Sequence, residues 1–413
     1  MLPGGSIWAT INKRSSSALV SDSYRVHLAF LGQGGGDIMH KLTLRRKLWH
    51  LRRARREMRL KCQRSPGKLT GRRLEAFQRH KAALALLPTA NLIYDERPDC
   101  CVLRPPSVLD LVDNYDESLA FLMAIRGNTE TFHPETGAKL RLFSDFAALK
   151  EIAPGAGLVL AAELDRRRIV TGRRPRSLDA DWEPAVRAYF DQAGLFELLG
   201  ITPQIITSEA QTSSLHAVRF VRGRSVRGQI GAALRDQLEA LCGKKIGPRT
   251  TVYEAISEAI ANTRHAYPRD VSIWPTKATN QWWAAGTWNS ETNVVSLQLY
   301  DQGVGIPATL PKSEHWSDVI KMIGLGDRLH PERTDDRLIA AALEIGRTST
   351  GEKGRGKGLA EMVGWIDKLE NGFLRLTSGK GSITYQPGAK IDRTSRKAPF
   401  FGTLVEWEIR LDG

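Results

Sequence analysis

EAISEAIANTRHAY, residues 254–267, sets Glu258 and Asn262 four positions apart and so on one face of a helix. Val252, Ala255, Ile256, Ala259 and Ile260 form the apolar stripe of that helix. Thr251 and Glu254 have the spacing of a capping box, which predicts a helix start at Thr251. Glu254, Glu258, Asn262 and His265 fall on or near the polar face. For Glu254 the capping box is explanation enough, and a solvated face is the plain alternative for the others.

Two glycine-containing stretches downstream give that face a different meaning. VVSLQLY (294–300) alternates β-branched and apolar residues as a strand does, and it runs into YDQGVGIP (300–307). Asp301 therefore stands at a strand end, followed by Gly303 and Gly305, which allow positive φ and close approach to a ligand. TGEKGRGKGL (350–359) gathers Gly354, Gly356 and Gly358 around Arg355 and Lys357. It is not a P-loop, because Gly358 stands where Ser or Thr is needed and a helical run (335–346) precedes it. It is not a Rossmann fingerprint either, since the glycines read GxGxG. What remains is a lid whose backbone N–H groups and basic side chains close over phosphates at a helix start. A carboxylate and an amide in register, a lone Asp and a basic glycine loop meet the needs of a magnesium–nucleotide site. Magnesium keeps several waters, so one amide oxygen plus substrate phosphates suffices to hold it.

In this order the three stretches resemble the N, G1 and G2 boxes of the GHKL superfamily of ATPases and kinases (gyrase, heat-shock chaperone, histidine kinase, MutL). FGTLVEWEIRL (401–411) is similar to the Gly-Thr and closing strand of that fold. The resemblance spans about 230–413, less than half of the chain. It implies ATP and Mg2+ as ligands. Glu258 is then the catalytic base and Asn262 the metal ligand. Asp301 reads the adenine amino group, while His265 and Thr403 complete the nucleotide contacts with the glycine loop.

Details within the motifs narrow the type. Histidine kinases usually carry Asn at both ends of the first box and need a phosphoacceptor His in an acidic context. His50 and His80 lie in the basic stretches LWHLRRA and QRHKAAL. Gyrase-type ATPases take a catalytic Lys from a following domain, and this chain stops about ten residues beyond Thr403. SEAIANTRHAYP (257–268) is most similar to the anti-sigma-factor serine kinase type.

The upstream half reads differently. Residues 1–39 are Gly- and Ser-rich and weakly patterned, which predicts disorder or a natural start at Met39. Between Lys41 and Lys81 stand 16 Lys or Arg and two Glu, so this stretch carries nearly all of the net charge of +15. Within it, 41–61 has the pattern of a basic amphipathic helix suited to nucleic-acid phosphate, an anionic membrane surface or an acidic partner. A solvated helix against the protein's own acidic groups is the plain alternative. KLRLF (139–143) reads as a strand, 152–168 as a loop and amphipathic helix, and 182–200 as a second helix. That order resembles the STAS fold of anti-sigma-factor antagonists, although the loop EIAPGAG lacks the hydroxyl residue regulated there. Cys62, Cys100, Cys101 and Cys242 show neither zinc nor disulfide spacing. No apolar run approaches the roughly 20 residues of a membrane span.

The expected fold class is α/β: a Bergerat-type sandwich, a mixed sheet with helices on one face, preceded by a small α/β domain and a basic helix. The expected organisation is 1–39, a basic segment 40–97, a STAS-like domain 98–200, a linker or edge element 201–229 and an ATP-binding domain 230–413. The expected function is that of a cytoplasmic, bacterial regulatory protein that hydrolyses ATP or phosphorylates a partner's Ser or Thr. The rival is an ATP-dependent switch with little turnover on nucleic acid or in a defence assembly. A partner protein is expected and a homodimer is compatible with this reading.

Overall fold

The computed structural model of the chain describes residues 94–97, 100–127, 131–132, 139–173, 179–204, 214–224, 228–267, 279–324, 333–348, 358–369 and 371–411. Residues 1–39 and the basic helix 41–61 lie outside them. The strands are β1 (Tyr94–Arg97), β2 (Cys100–Leu103), β3 (Val108–Leu109), β4 (Thr131–Phe132), β5 (Lys139–Ser144), β6 (Glu151–Ile152), β7 (Leu215–Gly223), β8 (Trp282–Asn289), β9 (Val294–Asp301), β10 (Gly372–Tyr385) and β11 (Asp392–Arg410). The helices used below are α1 (Tyr115–Gly127), α2 (Pro154–Thr171), α3 (Pro184–Gln192), α4 (Leu195–Leu199), α5 (Gly228–Cys242), α6 (Arg249–Asn262), α7 (Ile306–Thr309), α8 (Trp316–Met322), α9 (Asp335–Thr348) and α10 (Gly358–Leu369).

The protein is mixed α/β. Its main sheet has the order β10-β11-β9-β8-β7, and every neighbouring pair in it is antiparallel. A smaller sheet, β1-β2-β5-β4, contains the parallel pair β2–β5. The expected mixed main sheet is thus an antiparallel one, because a four-residue hairpin turn, 290–293, joins β8 to β9 and the long β10 turns back into β11. Segment 201–229 supplies β7, the edge strand next to β8.

Alternation along the strands sorts side chains onto two faces. One face carries Trp282, Ala284, Leu297, Leu299, Val405 and Trp407, which pack with α5, α6, α9 and α10. There the Trp407 indole donates to Met362 O and the Trp365 indole to Ile246 O, each at 2.9 Å. The other face carries Trp283, Ala285, Tyr300 and Leu404, and it is covered too. The cover is α1 and α2 together with α3 and α4, all from the upstream half. Helices therefore lie on both faces instead of one. The reason is α2: every residue from Gly155 to Arg166 is buried, so this helix has no solvent side of the kind an amphipathic helix needs. Residues 98–200 share one hydrophobic core with β8, β9 and β11, and all the described residues fall in one unit, Pro66–Gly413.

Two local expectations also change. The predicted helix over 182–200 is split, because Gly194 adopts φ 71° between α3 and α4. Helix α6 starts at Arg249 behind Pro248, two residues before Thr251, and no side chain caps it. Thr251 is buried and its hydroxyl accepts a hydrogen bond from Lys368 Nζ at 2.6 Å, so the capping box is not made. The apolar stripe Val252, Ala255, Ile256, Ala259 and Ile260 is buried throughout. No described helix is long and apolar enough to cross a membrane.

A shared core predicts shared unfolding. A chain beginning at residue 214 would expose Trp283, Tyr300, Phe400 and Leu404. At about 1.5–3 kcal/mol per large apolar side chain, that loss approaches the whole stability of an ordinary domain. The fragment is expected to lack a cooperative transition by calorimetry, while the full chain shows one transition for the described unit. Two separable transitions in the full chain would refute this.

Candidate functional site

The last turn of α6 and the end of β9 are tied together by one tyrosine. Tyr267 Oη donates to Gln281 O at 2.6 Å and accepts the Gln302 N–H at 2.8 Å. Val304 N donates to Ala266 O at 2.8 Å, which seats the glycine turn directly on the residues that follow the helix. Gly303 is required there for space: a Cβ would overlap Ala266, both its Cβ and its carbonyl. Gly305 is the one with positive φ, 86°, and it leads into α7. Ser378 Oγ accepts the Ile306 N–H and donates to Gly402 O, each at 2.9 Å, so β10 and β11 hold the same turn from the far side.

These ties surround a cavity of about 1060 Å³. Glu258, Asn262, His265, Asp301, Gly305 and Thr403 all line it, although the chain separates them by up to 145 positions. Leu299, Leu376, Val405 and Met362 supply apolar wall, Arg264 and Lys312 supply cationic groups, and His315 adds an imidazole. Gly303 is not among the lining residues; it donates its N–H to Asp301, which is. Gly354, Arg355, Gly356 and Lys357 lie outside the described residues, while Gly358 opens α10. Gly346 near the end of α9 and Leu359 at the start of α10 both line the cavity, so the two helices flanking the glycine loop meet at its wall. Sequence reading missed Arg264, Lys312, His315 and Met362. Met362 carried a signal, since it follows the glycine loop on the helix expected to face the site.

Asp301 is 5% exposed. Burial pushes its carboxyl up to about 7, against the N–H groups of Gly303 and Thr403 and the Arg126 guanidinium, which pull the other way. Gly303 N donates to Oδ1 at 2.8 Å. The result is a carboxylate aimed into a partly apolar cavity, a good acceptor for an amino group. Glu258 is half-buried; burial first raises its pKa above the usual carboxylate range, the nearby Glu361 carboxylate adds to that, and Arg264 opposes. A carboxylate whose pKa is raised in this way is a stronger base than an exposed glutamate. Asn262 Nδ2 reaches Met362 Sδ at 3.8 Å, which leaves Oδ1 as the amide's acceptor end. No described cluster of three or more His, Cys, Asp or Glu is placed to hold a metal by itself.

No protein-family model matches the chain, and no curated protein matches it at a significant level.

The buried Asp301 makes stability depend on pH. Its carboxyl ionises at about 3.8 when exposed and holds its proton to about 7 when folded. The folded state thus binds the extra proton between those values, and this contribution to stability is lost as pH rises from about 4 to about 7. Asp301→Asn is expected to be more stable than the parent at pH 8 by ~2–4 kcal/mol and nearly equal to it at pH 4. Urea denaturation at both pH values checks this; a pH-independent difference would be inconsistent with it.

Proposed function

We propose that the cavity binds ATP with magnesium, as a GHKL-type nucleotide module of Bergerat fold. One observation carries the reading: Asp301, Glu258 and Asn262 line a single cavity, each at the position its own motif assigned. The antiparallel main sheet packed on α6 and α10 supports the fold assignment, and the placement of Gly346 and Leu359 supports a lid between them. A base lying on the apolar wall directs its exocyclic amino group at Asp301, an acceptor. Guanine carries a carbonyl at that position and would set oxygen against oxygen. Arg264 and Lys312 supply positive charge for a polyphosphate, and His265 and His315 add imidazole groups able to hydrogen-bond it. Bound magnesium would neutralise phosphate charge, and the exposed Asn262 is the residue whose oxygen fits it. Glu258, one helical turn earlier, would orient or deprotonate a water or a partner's hydroxyl. The activity is ATP hydrolysis or phosphate transfer to Ser or Thr of a partner protein, of the anti-sigma-factor serine kinase type.

Three substitutions separate binding from chemistry. Asp301→Asn turns one acceptor into a donor, and an unmatched buried polar contact costs ~1–3 kcal/mol. ATP affinity is expected to fall by roughly one to two decades, and GTP to compete poorly against ATP in the parent. Because the same variant is expected to be more stable at pH 8, loss of binding there is not a loss of fold. Unchanged ATP affinity would remove the adenine role.

Glu258→Ala is expected to keep ATP bound while phosphate release or transfer falls on the order of 10²-fold. Asn262→Ala is expected to weaken binding only where magnesium is present. A parent that binds ATP but releases no phosphate, alone or with partners, would make the protein a nucleotide-dependent switch.

A further inference from the structure

On the face of the main sheet opposite the cavity, the Glu163 carboxylate of α2 is fully enclosed. Its Oε1 accepts the Gln302 Nε2 hydrogen at 2.9 Å. Tyr300 Oη lies 3.0 Å from the same oxygen and 3.0 Å from Phe401 O, with one proton to give to either. Tyr300 and Gln302 are the residues on each side of Asp301. At the C-terminal end of α1, Arg126 lies 3.7 Å from Glu163 Oε1. Its guanidinium donates to Phe401 O at 3.3 Å and to Gln302 O at 3.4 Å. These two carbonyls belong to the strand segments that deliver Thr403 and Asp301, which are themselves paired in register. Burial, the largest influence on Arg126, works against its charge, and the Glu163 carboxylate together with Tyr300, Tyr267 and Asp301 outweighs it, so the guanidinium stays charged.

The cluster gathers at one place. Farther along the same face, Ala285 and Leu404 pack as apolar core, and the Trp283 indole donates to the buried Asp165 at 3.1 Å. Apolar side chains of similar volume often replace a buried ion pair without loss of stability. They would not, however, hold the carbonyls of Gln302 and Phe401 at set positions.

We infer that Glu163, Arg126 and Tyr300 are positioning residues for base recognition: from behind the sheet they fix the strand ends that present Asp301 and Thr403 to the nucleotide. This rests on the nucleotide reading above and extends it, because it makes the upstream helices α1 and α2 part of the specificity of a site they do not line. Coupling of this kind is reciprocal, so ATP in the cavity also steadies α1 and α2.

Two variants test it. Tyr300→Phe removes one hydroxyl from a ring that stays packed, and the double variant Arg126→Met with Glu163→Gln removes both charges at similar volume. ATP and GTP affinities are measured by calorimetric titration. The preference for ATP over GTP is expected to drop about five- to twentyfold in both variants, within the usual range for coupled sites. Affinities for the two nucleotides that stay unchanged, or fall by one common factor, overturn the inference while leaving the nucleotide reading intact. A parent that fails to bind ATP, or binds both nucleotides equally, overturns the nucleotide reading and this inference with it. Hydrogen–deuterium exchange on the parent gives an answer that does not depend on the variants folding. Added ATP is expected to slow exchange in α2 and in the last turn of α1. Protection confined to the cavity-lining segments overturns the inference.

Discussion

Burying both faces of β8 and β9 is the constraint on which the rest of the structure depends. A strand with one wet face can leave its polar side chains in solvent, and here that outlet is closed. Tyr300, Asp301 and Gln302 come in succession at the end of β9, each 5% exposed or less. Their polar atoms must be met inside, since an unmet buried polar group costs more than a made hydrogen bond returns. The Tyr300 hydroxyl and the Gln302 Nε2 are met by Glu163, delivered from 137 and 139 residues away. Asp301 is met by backbone N–H groups on the opposite side. The strand end is therefore held from both directions, and the cavity inherits that rigidity.

The same constraint explains what was legible in the sequence. Helix α6 was legible because its stripe of small and branched apolar residues repeats at the helical period, and a helix places Glu258 and Asn262 together without help from the rest of the chain. Strand β9 and the end of β11 were legible for the analogous reason of alternation. QWWAAGTWN (281–289) was not, since a strand buried on both faces is a continuous apolar run without a period. Helix α2 misled in the other direction. Glu163, Asp165 and Arg166 sit close together as they would on a solvated face, yet each is 1% exposed or less. Their partners are Tyr300 and Gln302 for Glu163, Arg168, Arg222 and the Trp283 indole for Asp165, and the Arg126 carbonyl for Arg166. Most of these are too distant in sequence for spacing to reveal.

Local signals failed where tertiary contacts outcompeted them. Thr251 and Glu254 have the spacing of a capping box, and a cap contributes about 1 kcal/mol. The helix instead starts at Arg249 behind Pro248, two residues earlier, and Thr251 is then used inside the fold as an acceptor for Lys368. The glycine turn was read for its motif and not for its mechanics. Two glycines were expected to supply positive φ, but only Gly305 does, while Gly303 makes room for Ala266. The motif and the geometry agree on the residues and differ on why each is glycine.

The division between the two faces of β9 also separates two electrostatic problems. On the far face a carboxylate and a guanidinium are buried together and balance each other, so Arg126 keeps its charge where burial alone would weaken it. On the cavity face Asp301 has no such partner at hydrogen-bond distance, and its carboxyl is pushed up to about 7. Exchanging the two arrangements would give a more comfortable carboxylate in the cavity, already satisfied by a guanidinium and with nothing left to offer a ligand. A carboxyl raised by burial and facing an open volume, with an ion pair enclosed behind it, leaves acceptor capacity for a ligand at a cost to the stability of the empty protein.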